Sequence, residues 1–239
     1  MTTKPDHRGT VHGRKAALPA SRGFARPELV PYITRWSEEG EASMPVVARR
    51  NGRGIAYADE RSYDRDANGV LWTRTPSQPG RGRPEYGNVH SLRQRLAMSR
   101  LLCQICGKPA DRNPDGVLWL LDADAQEPEL WQEEEHTTHP PVCLPCAAQS
   151  AAACPHLRRR YVALRVRAFA LSGVHGALYQ RGETLPVPVD VTGLRFGDPR
   201  MPWMRGGQLV MHLSDFTTTD LQIGTGPGEL AEISSGRSG

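Results

Sequence analysis

Two cysteine pairs constrain this chain more than any other feature of its sequence. Cys103-Gln-Ile-Cys106 and Cys143-Leu-Pro-Cys146 use four of the five cysteines and are separated by 36 residues. Two thiolates spaced in this way can bind one cation, and two such pairs complete a tetrahedral site that leaves no position for water or substrate. We therefore predict a structural zinc ion (Zn2+) held by all four cysteines.

Other residues near the two pairs could also bind the metal. Cys154, His136, His139 and His156 are close in sequence, and zinc also accepts three cysteines with one histidine. The sequence leaves open whether one of them joins the site. Two buried or redox-active cysteine pairs without a metal are the alternative to a zinc site.

A short helix is predicted before the first pair, from Leu92 to about Leu102. Ser91 and Gln94 have the spacing of a capping box, and Leu92 and Leu96 mark an apolar face. This helix would lead the chain into the first cysteine pair.

A second helix is predicted directly after the second pair. Residues 147–153 read Ala-Ala-Gln-Ser-Ala-Ala-Ala, Pro145 fits a first helical turn, and Pro155 would end the helix. A knuckle, a hairpin and then a helix whose first turn carries the second ligand pair is the treble-clef order, which we expect here.

An internal echo predicts two β-hairpins. Asp64–Trp72 reads Asp-Arg-Asp-Ala-Asn-Gly-Val-Leu-Trp, and Asp111–Trp119 reads Asp-Arg-Asn-Pro-Asp-Gly-Val-Leu-Trp. Asp and Asn side chains close turns of this kind, and Gly69 or Gly116 would supply a positive φ before each Val-Leu-Trp strand. Gly54–Tyr57 and the cysteine knuckle would be the strands that precede the two turns.

The last third of the chain reads mostly as strands. Val162, Leu164, Val166 and Ala168 alternate with arginines, a turn is expected over Ser172–Gly176, and an edge strand is expected over Leu185–Phe196. Pro202–Leu213 is interpreted as a closing helix.

Composition predicts one ordered domain with loose ends. Hydrophobic residues make up 38% of the chain and the mean hydropathy is −0.52. We expect a disordered arm at 1–27, a single α+β domain at 28–221 with the zinc site at about 101–160, and a disordered tail at 222–239. The strands should be antiparallel or mixed and the helices few and short. With no long apolar run and no apolar leader, we expect no membrane partner and a reducing cytoplasm.

The charge is unevenly distributed and favours nucleic acid as a partner, DNA or RNA. Residues 1–100 carry a net charge of +8 and residues 101–142 a net charge of −7, although the two could also pair within the molecule. Arg81-Gly-Arg-Pro84 matches the core of a minor-groove AT-hook. The predicted nucleic-acid contacts are Arg81, Arg83, Arg158, Arg159, Arg160, Arg165 and Arg167.

The spacing of the pairs resembles that of the recombination endonuclease VII group of His-Asn-His nucleases. That resemblance implies a ββα element whose Asp and His side chains hold a cation. The comparable run here is Leu121-Asp-Ala-Asp-Ala125: Asp122 and Asp124 match, but both histidines are replaced by alanine, and Ala147 replaces the expected asparagine. Without an imidazole base the hydrolytic mechanism loses its proton acceptor.

Several blocks together resemble a family of predicted actinomycete proteins, which implies a GC-rich bacterial cytoplasm but no activity. The blocks are Gly-Ile-Ala-Tyr-Ala-Asp-Glu (54–60), Gly-Arg-Gly-Arg-Pro-Glu-Tyr (80–86), Leu-Leu-Cys-Gln-Ile-Cys-Gly (101–107), Pro-Pro-Val-Cys-Leu-Pro-Cys-Ala (140–147) and Cys-Pro-His-Leu-Arg-Arg (154–159). We predict a non-enzymatic, zinc-stabilised intracellular binding or regulatory protein. A metal-dependent nuclease and a protein–protein adaptor are the alternatives.

Overall fold

The computed structural model of the protein describes residues 29–40, 45–122, 134–154, 157 and 161–221. The arm at 1–27, the tail at 222–239 and Arg158–Arg160 lie outside the described residues. The elements in chain order are β1 Thr34–Trp36, β2 Val46–Ala48, β3 Ile55–Tyr57, β4 Leu71–Trp72, β5 Pro84–Val89, α1 Ser91–Arg100, β6 Arg112–Asn113, β7 Gly116–Asp122, β8 Glu134–Thr137, α2 Leu144–Ala153, β9 Tyr161–Gln180, β10 Val187–Arg195 and β11 Met204–Thr218.

Two long strands organise the large sheet. β9 pairs antiparallel with β11, from Leu178 opposite Met204 to Leu164 opposite Thr218. The other edge of β9 carries β7 and β10, and the other edge of β11 carries β4 and β8. Two small antiparallel pairs, β1 with β5 and β2 with β3, lie outside this sheet. The prediction of an α+β fold with mixed strands and short helices is confirmed.

The predicted turn over Ser172–Gly176 is wrong, because β9 continues through it. A Cβ atom on Gly173 would lie 2.2 Å from the carbonyl oxygen of Leu194 in β10. A Cβ atom on Gly176 would lie 2.2 Å from the carbonyl oxygen of Arg205 in β11. Glycine within a strand often marks such a close backbone approach. These glycines therefore allow both neighbouring strands to approach β9.

The predicted closing helix over Pro202–Leu213 is also wrong. Pro202 lies in a single short helical turn at 201–203, and the strand β11 begins at Met204. Leu209, Met211 and Leu213 are buried and alternate with less buried residues. This period of two is that of a strand with one face in the core. The edge strand predicted over Leu185–Phe196 is confirmed as β10, which pairs with β9.

Both copies of the internal echo form the expected turns, the first closed by a single antiparallel bridge between Arg65 and Leu71 and the second by a short hairpin. The Asp66 carboxylate accepts hydrogen bonds from the backbone N–H groups of Asn68 and Val70, and the Asn113 side chain accepts one from Asp115. β6 and β7 pair across the second turn. The predicted preceding strands are wrong: Ile55–Tyr57 pairs with β2 while β4 joins β11 in parallel, and β7 pairs with β6 and not with the cysteine knuckle.

The predicted helix from Leu92 to about Leu102 forms as α1, but its ends and its buried face differ. His90 is the N-cap and its ring nitrogen accepts a backbone N–H of the first turn, so the capping box at Ser91 and Gln94 is wrong. Leu92 is exposed. The helix ends at Arg100 and is followed by a residue in the left-handed conformation.

Polar side chains form much of the buried face of α1. The Gln94 amide donates to the carbonyl oxygens of Thr138 and Leu209, and its oxygen accepts the backbone N–H of Leu209. Arg93 is buried against Glu39. Because buried polar groups are stabilising only when they are hydrogen-bonded, these contacts fix α1 to β11 and to the segment after β1.

β7 is buried on both faces and separates two apolar clusters. Val117, Trp119 and Leu121 belong to the main core with the side chains of β9 and β11. Leu118 and Leu120 belong to a second cluster that contains two of the metal-ligand candidates. Full burial of a large apolar side chain is worth about 1.5–3 kcal/mol, so β7 contributes to both clusters at once. Neither described helix has the length and apolar character that a bilayer crossing requires.

Candidate metal centre

The first cysteine pair lies in a tight turn bounded by Leu102 and Pro109, which face each other as an antiparallel bridge. The backbone N–H of Cys103 donates to the carbonyl oxygen of Lys108 at 2.7 Å, and the N–H of Gly107 donates to the carbonyl oxygen of Cys103 at 2.9 Å. Gly107 has a φ of 71°, a conformation that costs glycine little. The result is a knuckle that carries both cysteines of the pair.

The second pair lies at the start of α2. Cys143 is the N-cap residue, and Pro145 and Cys146 follow in the first turn. Proline is tolerated there because its missing N–H would have no intrahelical partner. The helix predicted after this pair is confirmed, although it begins at Leu144, before the alanine run.

The two pairs meet in space. The sulfur atoms of Cys103, Cys106, Cys143 and Cys146 all lie within 4.8 Å of one another, and those of Cys106 and Cys143 are 3.8 Å apart. This is a possible metal-binding arrangement. In the part of the chain that the structure describes, it is the only group of three or more His, Cys, Asp or Glu side chains close enough to share an ion.

Burial and the neighbouring groups shift the pKa of three of the four thiols. Burial raises the pKa of the Cys103 thiol and that of the Cys146 thiol above the ordinary value for cysteine. Burial also acts to raise the pKa of Cys106, but a hydrogen bond from the backbone N–H of Lys108 and contacts with the neighbouring thiols outweigh it, so that pKa is lowered. A divalent cation at the centre of the four sulfurs would reverse the effect of burial, because thiolates become the favoured form beside it.

Backbone hydrogen bonds join the two halves of this centre to the rest of the fold. The N–H of Gln104 donates to the carbonyl oxygen of Pro141, and Val142 donates to Leu118 in β7, each at 2.9 Å. The knuckle also accepts the N–H of Tyr32 at the carbonyl oxygen of Ile105. The sequence analysis did not predict this contact between the knuckle and the segment before β1, because neither Tyr32 nor Ile105 belongs to a recognisable motif.

The other ligand candidates do not join the cluster. Cys154 caps the C-terminus of α2, and His139 is exposed. His136 lies in β8, where its ring stacks on that of His212 with centroids 4.7 Å apart. His156 lies outside the described residues. Among the described residues, the four cysteines of the two pairs are the group that could hold an ion.

The arginines predicted to contact nucleic acid are spread over the molecule. Arg81 and Arg83 are exposed in the turn before β5. Arg165 is largely buried and forms an ion pair with Asp111, and Arg167 forms an exposed ion pair with Asp215. Each pairing partner reduces the charge that those two arginines can offer to phosphates.

The carboxylates of the nuclease alternative are only partly described. Asp122 is the last residue of β7, whereas Asp124 lies outside the described residues. Asp122 belongs to no described group of three ligating side chains. Comparison of the chain with protein-family models, with curated proteins and with solved structures gives no match.

Proposed function

We propose that the protein is a non-enzymatic binding or regulatory protein of the cytoplasm, stabilised by a structural zinc ion, with nucleic acid as its leading partner. The observation that supports a bound zinc ion is the cluster of four cysteine sulfur atoms. Four sulfurs bound tetrahedrally at about 2.3 Å from one zinc ion lie about 3.8 Å from one another. Cys106 and Cys143 have this separation, 3.8 Å.

The local order of elements supports a treble-clef arrangement. The knuckle at Cys103–Cys106 comes first, the β6–β7 hairpin follows, and the second pair lies on the first turn of α2. β8 lies between the hairpin and the helix. With all four coordination positions filled by cysteine, the ion would have no open position for catalysis, which favours a structural role.

The metal is tested by elemental analysis of the purified protein and of single Cys→Ser variants. We expect one zinc per chain, loss of the ion in Cys103→Ser and Cys146→Ser, and full retention in Cys154→Ser. Removal of the ion by a chelator should lower the melting temperature by at least about 10 °C, because binding of a structural zinc contributes directly to folding. A metal-free protein with an unchanged melting temperature would refute the structural role.

Exposed arginines that form no ion pair with the described residues support the choice of nucleic acid. Arg81 and Arg83 lie in a turn where Gly80 and Gly82 both have positive φ. The loop therefore folds back, whereas an AT-hook core is extended, so these arginines would act as phosphate contacts and not as a minor-groove strip. A second exposed basic group, missed in the sequence analysis, lies at the turn between β2 and β3: Arg49, Arg50 and Arg53.

Salt dependence tests this partner. We expect labelled single- or double-stranded DNA or RNA to bind at low salt, with an affinity that falls steeply as salt rises. The double variant Arg81→Ala/Arg83→Ala should reduce the slope of log K against log salt by about 1.5–2. Arg200→Ala, whose side chain is exposed and paired with Asp198, is the matched control. Cleavage of the probe in Mg2+ would instead favour the nuclease.

A protein partner is the second candidate, and one observation favours it. The edge strand β10 exposes Val187, Val189 and Val191 to solvent, and an edge strand can pair with another chain. Trp72, in contrast, is buried in the main core. Absence of nucleic-acid binding at low salt, together with loss of a co-purifying protein in Val191→Lys, would support this candidate over the first.

A further inference from the structure

The four cysteines of the candidate metal centre differ in how much solvent reaches them. Cys103 and Cys146 are buried, Cys143 is partly exposed and Cys106 is exposed. The two buried cysteines pack in the apolar cluster that one face of β7 joins. The two residues that follow Cys143 are exposed. The centre therefore has a closed flank against β7 and an open flank formed by Cys106 and the start of α2.

The two sulfur atoms on the open flank are neighbours. The Sγ atoms of Cys106 and Cys143 are 3.8 Å apart, and a disulfide bond is about 2.05 Å long, so they need to approach by only about 1.8 Å. The backbone N–H of Gln104 donates to the carbonyl oxygen of Pro141 at 2.9 Å and joins the two loops that carry these cysteines. Because this bond involves no sulfur atom, it holds the loops side by side whatever happens to the thiols.

Exposure decides which sulfur an oxidant in solution reaches first. Cysteines bound to zinc are thiolates, and thiolates are the form that peroxides oxidise, with a susceptibility that follows exposure. Cys106 is exposed, whereas Cys103, the other member of its pair, is buried. An oxidised cysteine beside a second thiolate condenses with it to a disulfide. The geometry therefore makes Cys106 the attacking sulfur and Cys143 the one that resolves it.

We propose that Cys106 and Cys143 form a peroxide-sensitive pair whose oxidation releases the zinc ion. The inference rests on the structural zinc ion proposed above. In the first step the Cys106 thiolate attacks one oxygen of hydrogen peroxide, the O–O bond breaks, and a sulfenic acid and a hydroxide form. In the second step the Cys143 thiolate attacks the Cys106 sulfur, the S–O bond breaks, and a second hydroxide leaves. Solvent protons convert both hydroxides to water, so the two thiolates lose two electrons and one peroxide is reduced.

Formation of this disulfide removes two of the four ligands from the zinc ion. The thiolate is the form of cysteine that binds a metal, and neither sulfur of a disulfide is a thiolate. Cys103 and Cys146 remain, which is half of a closed tetrahedral site. The ion therefore leaves. Reduction of the disulfide by a small thiol regenerates both thiolates, so the release is reversible.

The test treats the zinc-loaded full chain with hydrogen peroxide in the presence of a zinc-binding dye and maps the disulfide by mass spectrometry. We expect zinc release together with a Cys106–Cys143 disulfide, and rebinding of zinc after a thiol is added. Cys106→His keeps a group that zinc accepts but has no thiol, and should release the ion at least about tenfold more slowly. Cys154→Ser, which removes the cysteine outside the two pairs, should release zinc as fast as the unaltered protein.

Two results would overturn the inference and leave the structural zinc ion standing. One is retention of zinc by the unaltered protein in excess peroxide. The other is a disulfide within either Cys-x-x-Cys pair or with Cys154. The mapping uses the unaltered protein, so it decides the matter even if Cys106→His fails to bind zinc. A reduced protein that contains no zinc would instead refute the metal centre itself, and this inference with it.

Discussion

The buried ion pair between Glu39 and Arg93 should be one of the largest single contributions to stability in the fold. Its two guanidinium nitrogens meet the two carboxylate oxygens at 2.7 Å and 2.6 Å, and the side chains are 5% and 0% exposed for Arg93 and Glu39. Glu39 also accepts the backbone N–H groups of Trp36 and Gln78. We expect Glu39→Gln to leave a buried guanidinium without its counter-charge.

The size of the effect follows from the pKa of Glu39. Burial alone would raise this pKa, but the hydrogen bond from Arg93 and those from the two backbone N–H groups outweigh it and lower the pKa from 4.5 to about 2. One pKa unit corresponds to about 1.4 kcal/mol. Glu39→Gln should therefore lower the free energy of unfolding at pH 7 by about 3 kcal/mol, within the range of about 3–5 kcal/mol for a broken buried pair.

The pH dependence provides a second readout of the same pair. Because the folded-state pKa is below the ordinary value, the contribution is fully present above about pH 5 and is lost as the pH falls towards 2. The difference between the unaltered protein and Glu39→Gln, measured by urea unfolding of the metal-loaded protein, should shrink over that range.

A matched control separates this pair from an ordinary surface pair. Asp215→Asn removes the charge from an exposed pair with Arg167, and asparagine tolerates the positive φ of 48° at this position. Its cost should be much smaller than that of Glu39→Gln, because water screens an exposed pair. If Glu39→Gln costs no more than this control, or if its cost does not change below pH 5, the reasoning is refuted.

Three further substitutions test how the strands and helices are held together. Gly69→Ala should cost about 1 kcal/mol, because its φ is 76° but the site is open, whereas Gly116→Ala should cost about 3 kcal/mol, because its Cβ would also lie 2.3 Å from the carbonyl oxygen of Val166. Equal losses in thermal unfolding would contradict this. Gln94→Met should cost about 2–4 kcal/mol, because it leaves the buried N–H and C=O of Leu209 without partners; a loss below about 1 kcal/mol in urea unfolding would contradict it.

The local parts of this fold could be predicted from the sequence. The two cysteine pairs can be recognised from their spacing. The turns at Asp66 and Asn113 are closed by hydrogen bonds to backbone groups at most four residues away. The helix that carries the second pair is similarly local, because Pro145 and the alanine run define it. These features need no distant partner, so their residues alone carry the signal.

The parts that failed depend on partners far away in the chain. Arg93 is buried only because Glu39, 54 residues earlier, pairs with it, and Gln94 is buried because Leu209 lies 115 residues later. Gly173 and Gly176 were interpreted as a turn, although they serve the approach of neighbouring strands. No local pattern distinguishes a glycine in a turn from a glycine at a close approach of strands. The strands that approach here, β10 and β11, are formed by residues later in the chain.

The double burial of β7 has a consequence for how the protein is made. The four cysteines of the two pairs and β7 emerge from the ribosome before β9 and β11, since Cys146 precedes Tyr161 in the chain. One face of β7 can therefore be covered by the cysteine knuckle and α2 during synthesis. Its other face stays uncovered until β9 and β11 have been synthesised. If the proposed ion binds at this stage, the nascent chain presents a preformed edge on which β9 can pair. In that case a shortage of the ion would leave one face of the nascent β7 without the folded cysteine centre, and maturation of the protein would depend on metal supply.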